Sequence, residues 1–164
     1  MVAVFNWREY LTNATATATP TNLNLGSTIA ANLAPSTYPI TAGTYSYEKW
    51  VKAVYTGSFT RIDNIQYWKS AGTYVTGEII NWTGQQTAYA VPTSSASGYA
   101  TAAVPTSDPG TANVSINATL SGSITSSTEG SNCSDFVILQ ATITTAASAG
   151  ATNTKTFTLQ YDEV

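Results

Sequence analysis

Short runs rich in Thr, Val, Ile and Tyr recur along the whole chain, and each is stopped by Gly, Pro, Asn or Ser before it reaches ordinary helix length. β-branched and aromatic side chains suit a pleated, half-buried surface, and the intervening residue types are those that turns require. This punctuation predicts an all-β chain with little or no helix. The expected fold is a single antiparallel β-sandwich, jelly-roll or immunoglobulin-like. With 164 residues one domain spanning 1–164 suffices, because a chain of this size buries roughly 70% of its unfolded surface without staples.

Individual runs support this expectation. VAVFNWREYL at the start reads as a strand, NLNLGSTIAANL alternates at Leu23, Leu25 and Ile29, and TYVTGEIINW at 73–82 reads as a strand with a bulge at Gly77. GYATAAV ends a strand at Val104, and NVSINATLSGSI has the cleanest half-buried alternation in the chain, at Val114, Ile116, Leu120 and Ile124. Between these two, SDPG at 107–110 is a tight turn. DFVILQATITT has a continuous apolar centre, as in a strand covered on both faces. In KTFTLQYDEV, Phe157, Leu159 and Tyr161 alternate with polar residues. AASAGATN is read as the loop of a hairpin joining these last two strands, with Gly150 near its tip. The Thr-Ala run within 12–22 reads as an exposed loop or arm.

One segment is ambiguous. In SYEKWVKAVYTG the apolar residues Tyr47, Trp50, Val51, Val54 and Tyr55 fall at helical spacing, Ser46 is placed to cap, and Gly57 to terminate. Its β-favouring composition and short length weigh equally on the side of a strand, so the residues alone leave helix and strand evenly balanced. The next stretch, GSFTRIDNIQYWKS, changes apolar parity between Ile62 and Ile65. A bulge or bend at Asp63 and Asn64 explains the change, with Arg61 and Asp63 close enough to pair. The expected core comprises Trp50, Val54, Phe59, Ile65, Val114, Ile116, Val137, Leu139, Phe157 and Leu159.

The chemical inventory is sparse. Charged residues are 9% of the chain, against about 25% in ordinary globular proteins. Without histidine and with only Cys133, Ser-His-Asp and Cys-His catalysis, a disulfide and the usual zinc sites are not expected. The acidic residues are scattered, so neither a carboxylate pair for catalysis nor a calcium loop is expected. No catalytic residue, cofactor or metal is therefore expected. A net charge of −3, with four of the six cations between Lys49 and Lys69, provides no phosphate-binding face. Neither a secretory signal nor an apolar run of the roughly 18 to 20 residues needed to cross a bilayer is found. Five Asn-X-Ser/Thr triplets are attributed to composition.

SYEKWVKAVYTGSFTRIDNIQYWKSAG together with TFTLQYDEV resembles segments of small virion structural proteins of tailed bacteriophages. The resemblance implies a strand for the ambiguous segment and a capsid decoration or auxiliary (cement) protein on the outside of a phage head, or a minor tail protein. The alternative, a tail- or fibre-associated module that binds a receptor or glycan, rests instead on Tyr67, Trp68, Trp82 and Tyr89 as rings on which sugars stack. The resemblance also implies synthesis in the bacterial cytoplasm, residence in the virion, homo-oligomer formation, and contact with the major capsid or tail protein. No functional residue is carried over from the family. Tyr67, Trp68, Lys69, Trp82 and Tyr89 are the expected partner-binding residues, as aromatic and cationic groups suited to interfaces. Neither nucleic acid nor membrane is an expected partner.

Overall fold

The computed structural model describes residues 2–14, 17–148 and 153–164. It is an all-β fold of nine strands among the described residues: β1 (Ala3–Tyr10), β2 (Thr17–Ala18), β3 (Thr44–Tyr45), β4 (Lys49–Gly57), β5 (Ile62–Ala71), β6 (Glu78–Gln86), β7 (Ala102–Ala103), β8 (Phe136–Ile143) and β9 (Thr156–Glu163). A seven-stranded antiparallel sheet runs β2-β1-β4-β8-β6-β7, with β3 also paired to β8. β5 and β9 form a two-stranded sheet packed over it. No described helix is long and apolar enough to cross a membrane.

The SYEKWVKAVYTG segment is a strand, and its helix-like spacing has a simple origin. β4 is buried on both faces: Val51, Ala53 and Tyr55 enter the core between the sheets, while Trp50 packs on the opposite face. Adjacent buried residues from opposite faces imitate a helical stripe. β8 follows the same rule, with Val137, Leu139, Ala141 and Ile143 in the main core and Phe136 and Ile138 on the far side. The far side is covered by the segment after β6. Buried Glu48 accepts bonds from Trp50 Nε1 (2.9 Å), Thr93 N (3.2 Å) and Ser97 Oγ. Gln140 Nε2 donates to the carbonyls of Ser46, Thr93 and Ser95.

The parity change in β5 is a bulge. Register with β9 shifts between Asp63 and Gln66, and Asn64 adopts φ 50°. Arg61 Nε lies 2.6 Å from Asp63 Oδ2, and Asn64 Nδ2 donates to Asp162 at 3.0 Å. Every expected core residue except Phe59, Phe157 and Leu159 is buried, and those three pack against the core partly exposed.

Four expectations are corrected. NLNLGSTIAANL is an irregular excursion without strand pairing, because Leu23 and Leu25 cover one end of the core while Leu33 is buried. Gly77 (φ +81°) is not a bulge: it belongs to a turn closed by Glu78 N to Val75 O at 3.0 Å, and β6 starts after it. NVSINATLSGSI is not a ladder strand. Asn117 and Ala118 both have positive φ, folding the chain back so that Ile116 and Thr119 bond to each other, and Leu120 is left exposed. Finally, β8 and β9 do not form a hairpin, since they belong to different sheets. Gly150 lies outside the described residues, while part of the expected arm, Thr17–Ala18, pairs with β1.

Candidate functional site

Where the excursion approaches the start of β9, the sandwich is incompletely filled. A cleft of about 450 Å³ opens there, lined by Leu23, Leu25, Pro35 and Ile40 on one wall and by Thr154, Lys155 and Phe157 on the other. Its floor is the main-core face of the large sheet, formed by Ile80, Leu139, Ala141 and Ile143. This volume is within the range of about 300–1,000 Å³ typical of ligand pockets, and the lining is mainly apolar.

One ion pair stands in the lining. Lys155 Nζ lies 2.5 Å from both Glu78 carboxylate oxygens and 3.2 Å from Asn153 O, and both charged side chains are about 5% exposed. Val75 N donates to Glu78 Oε2 at 3.1 Å. The ammonium therefore directs its three donors into the protein, and the carboxylate is matched on both oxygens. The pair fastens the start of β9 to the start of β6, one strand from each sheet. Tyr74 lies beneath it, its ring centre 5.8 Å from Lys155 Nζ and 5.2 Å from Lys69 Nζ. With both charges satisfied, the cleft presents a neutral surface.

A second buried pair joins Lys49 Nζ to Glu9 Oε1 at 2.6 Å, with Ala30 O accepting from the same ammonium at 2.7 Å. Burial pushes the Glu9 carboxyl above its usual range, and the hydrogen bond and charge of Lys49 offset this only in part. Its role is to anchor the excursion to β1 and β4.

The five expected partner-binding residues are not gathered at this cleft. Tyr67 is 1% exposed at the centre of an aromatic cluster, stacked on Phe157 at 5.5 Å and edge-on to Trp7 at 5.9 Å. Trp82 lies in the same core, 5.6 Å from Tyr67. Trp68 and Lys69 are each 9% exposed, and Lys69 Nζ is bonded to Gly72 O. Tyr89 is half-buried against Trp50, and its hydroxyl donates to Leu11 O at 3.2 Å. Tyr67 and Trp82 thus build the fold, and none of the five is an exposed platform.

Glu78 and Lys155 were not singled out by sequence reasoning. The available signal was their isolation, as single charges bordering apolar strands in a chain with few charges. Nothing in the sequence indicated that they meet. Comparison with protein-family models, with curated proteins and with solved structures finds no match to this chain.

Proposed function

We infer that the chain is a non-enzymatic structural protein of a bacteriophage virion, most consistent with a decoration or auxiliary protein on the outside of the head. One observation carries this reading: the fold engages its charged side chains, buried and exposed alike, with partners of its own. Each of the six basic side chains is engaged within the chain. Arg8 pairs with Glu129, Lys49 with Glu9, Arg61 with Asp63 and Lys155 with Glu78, while Lys52 sits over the Phe136 ring and Lys69 bonds to Gly72. The remaining acids are held likewise: Glu48 by Trp50, Asp108 by Gly110 N, Asp135 by Ser115 and Ala118 N, Asp162 by Asn64 and Glu163 by Ala3 N.

With its cations engaged in this way, the molecule offers no unpaired basic face to attract phosphate among the described residues. Its surface is rich in uncharged Thr, Ser and Asn, so neighbouring copies repel each other weakly and can pack densely. Many weak contacts on one particle then sum to firm attachment. The alternative reading, a tail or fibre module that stacks sugars on aromatic rings, has less support because Tyr67, Trp68 and Trp82 are buried.

Co-sedimentation tests the proposal. Mixed with undecorated particles of its own virus, the chain should pellet with them and saturate at a ratio fixed by shell symmetry. Failure to pellet with any such particle overturns the reading.

A further inference from the structure

The hydrogen-bond phase of β9 is set by what lies across β5. Asn113 imitates a strand there: its Oδ1 accepts from Tyr67 N at 2.8 Å and its Nδ2 donates to Tyr67 O at 2.9 Å. Lys69 N donates in the same direction, to Pro105 O at 2.8 Å. The main-chain groups of Tyr67 therefore point away from β9, and Tyr67 and its partner Leu159 form a non-hydrogen-bonded pair. Thr158 and Gln160 then bond to β5, while the N–H and C=O groups of Phe157, Leu159 and Tyr161 project from the opposite edge. No strand pairs with that edge among the described residues.

Other edges are closed more fully. β7 and the Ser115 N to Gly84 O bond cover β6, and residues 105–124 cover β5. β1 is capped at both ends, by β2 at Glu9 and Tyr10 and by the Glu163 carboxylate at Ala3 N, 3.1 Å away, which leaves Phe5 and Trp7 open between the caps. Between Phe157 and Tyr161 the β9 edge carries no Pro and no charged residue, and no strand covers it among the described residues. It also begins at Phe157, in the wall of the cleft.

We propose that this edge and the cleft together form a β-augmentation site, which takes an extended, uncharged segment of a partner protein with alternating apolar residues. Main-chain bonds to Phe157, Leu159 and Tyr161 would extend the small sheet to three strands. Alternate apolar side chains would enter the cleft over Ile80 and Ile143. The requirement for neutrality follows from the Glu78–Lys155 pair, which is saturated internally and has nothing to offer a charged side chain. The inference deepens the assembly reading and rests on it for the protein nature of the partner.

The probe is a capped nine-residue peptide alternating Thr with Val, compared with one in which every Val is replaced by Lys. Binding is followed by fluorescence anisotropy and by residue-resolved amide exchange. The Thr-Val peptide should bind and slow the amides of Phe157, Leu159 and Tyr161, leaving Thr158 and Gln160 unchanged; the Lys peptide should not. Leu159→Pro removes one outward N–H without breaking a bond to β5, and should weaken binding about tenfold. No binding, or binding that leaves those three amides unprotected in the unaltered chain, overturns the proposal. So does protection of the same amides in peptide-free protein by self-association, which assigns the edge to a second copy. Peptide failure with intact particle binding would refute this inference alone. Peptide binding without particle binding would refute the virion reading and leave the edge assignment standing.

Discussion

Replacing Tyr67 by Ala tests the packing on which the whole sandwich depends. The ring is 1% exposed and touches Trp7, Trp82 and Phe157, the last stacked at 5.5 Å with the planes 2° apart. Deleting a buried aromatic side chain costs about 3–5 kcal/mol through lost transfer free energy and the residual cavity. Each specific ring pair adds about 0.5–1.5 kcal/mol. The neighbours are themselves large rings held by two sheets, so little collapse can fill the space, and a loss of about 5 kcal/mol is expected. With a urea dependence of about 2 kcal/mol per molar, the unfolding midpoint should fall by roughly 2.5 M. The assay is equilibrium urea denaturation followed by tryptophan fluorescence and by far-ultraviolet circular dichroism, whose coincidence checks two-state behaviour. A midpoint shift below about 0.5 M refutes the reasoning, since a side chain at the centre of the core cannot be so cheaply removed.

Three further outcomes are expected. Burial raises the pKa of both Tyr55 and Tyr67 well beyond the ordinary value of 10.0. Above that value the unfolded chain loses these protons and the folded chain keeps them. Stability present below pH 10 should therefore fall by about 1.4 kcal/mol per pH unit for each tyrosine as the pH rises further, measured by urea titration between pH 9 and about 12. Lys49→Ala leaves the Glu9 carboxylate buried and unpaired and should cost about 3–5 kcal/mol, whereas Lys49→Met with Glu9→Leu should recover most of that loss; thermal unfolding compares the two. Asn113→Ala removes both bonds to Tyr67 and should cost about 1–3 kcal/mol, while amide exchange at Tyr67 accelerates more than at Gln66.

Strands were legible in the sequence where one rule governed them. β1, β8 and β9 declare themselves by β-favouring composition, by a continuous apolar centre and by alternation, because their surroundings are uniform along their length. β4 was obscured by burial on both faces, which let Trp50 and Val51 mimic a helical stripe. The segment around Val114 and Ile116 shows the opposite failure. Its apolar residues are buried at even spacing, yet Asn117 and Ala118 turn the backbone between them, so alternation records burial and not ladder pairing. The bulge at Asp63 and Asn64 was legible because it shifts parity, and Asn tolerates the required φ of 50°. The cleft was not. It depends on Leu23 and Leu25 folding onto β8 and β9, and on a Glu78–Lys155 pair between positions far apart in sequence.

The most direct measurement of the account is amide exchange on the chain free and bound to its own particle. The account predicts that Phe157, Leu159 and Tyr161 slow on attachment, while Thr158 and Gln160, already bonded to β5, are protected in both states. Equal exchange at Phe157, Leu159 and Tyr161 in the free and particle-bound chain would contradict it.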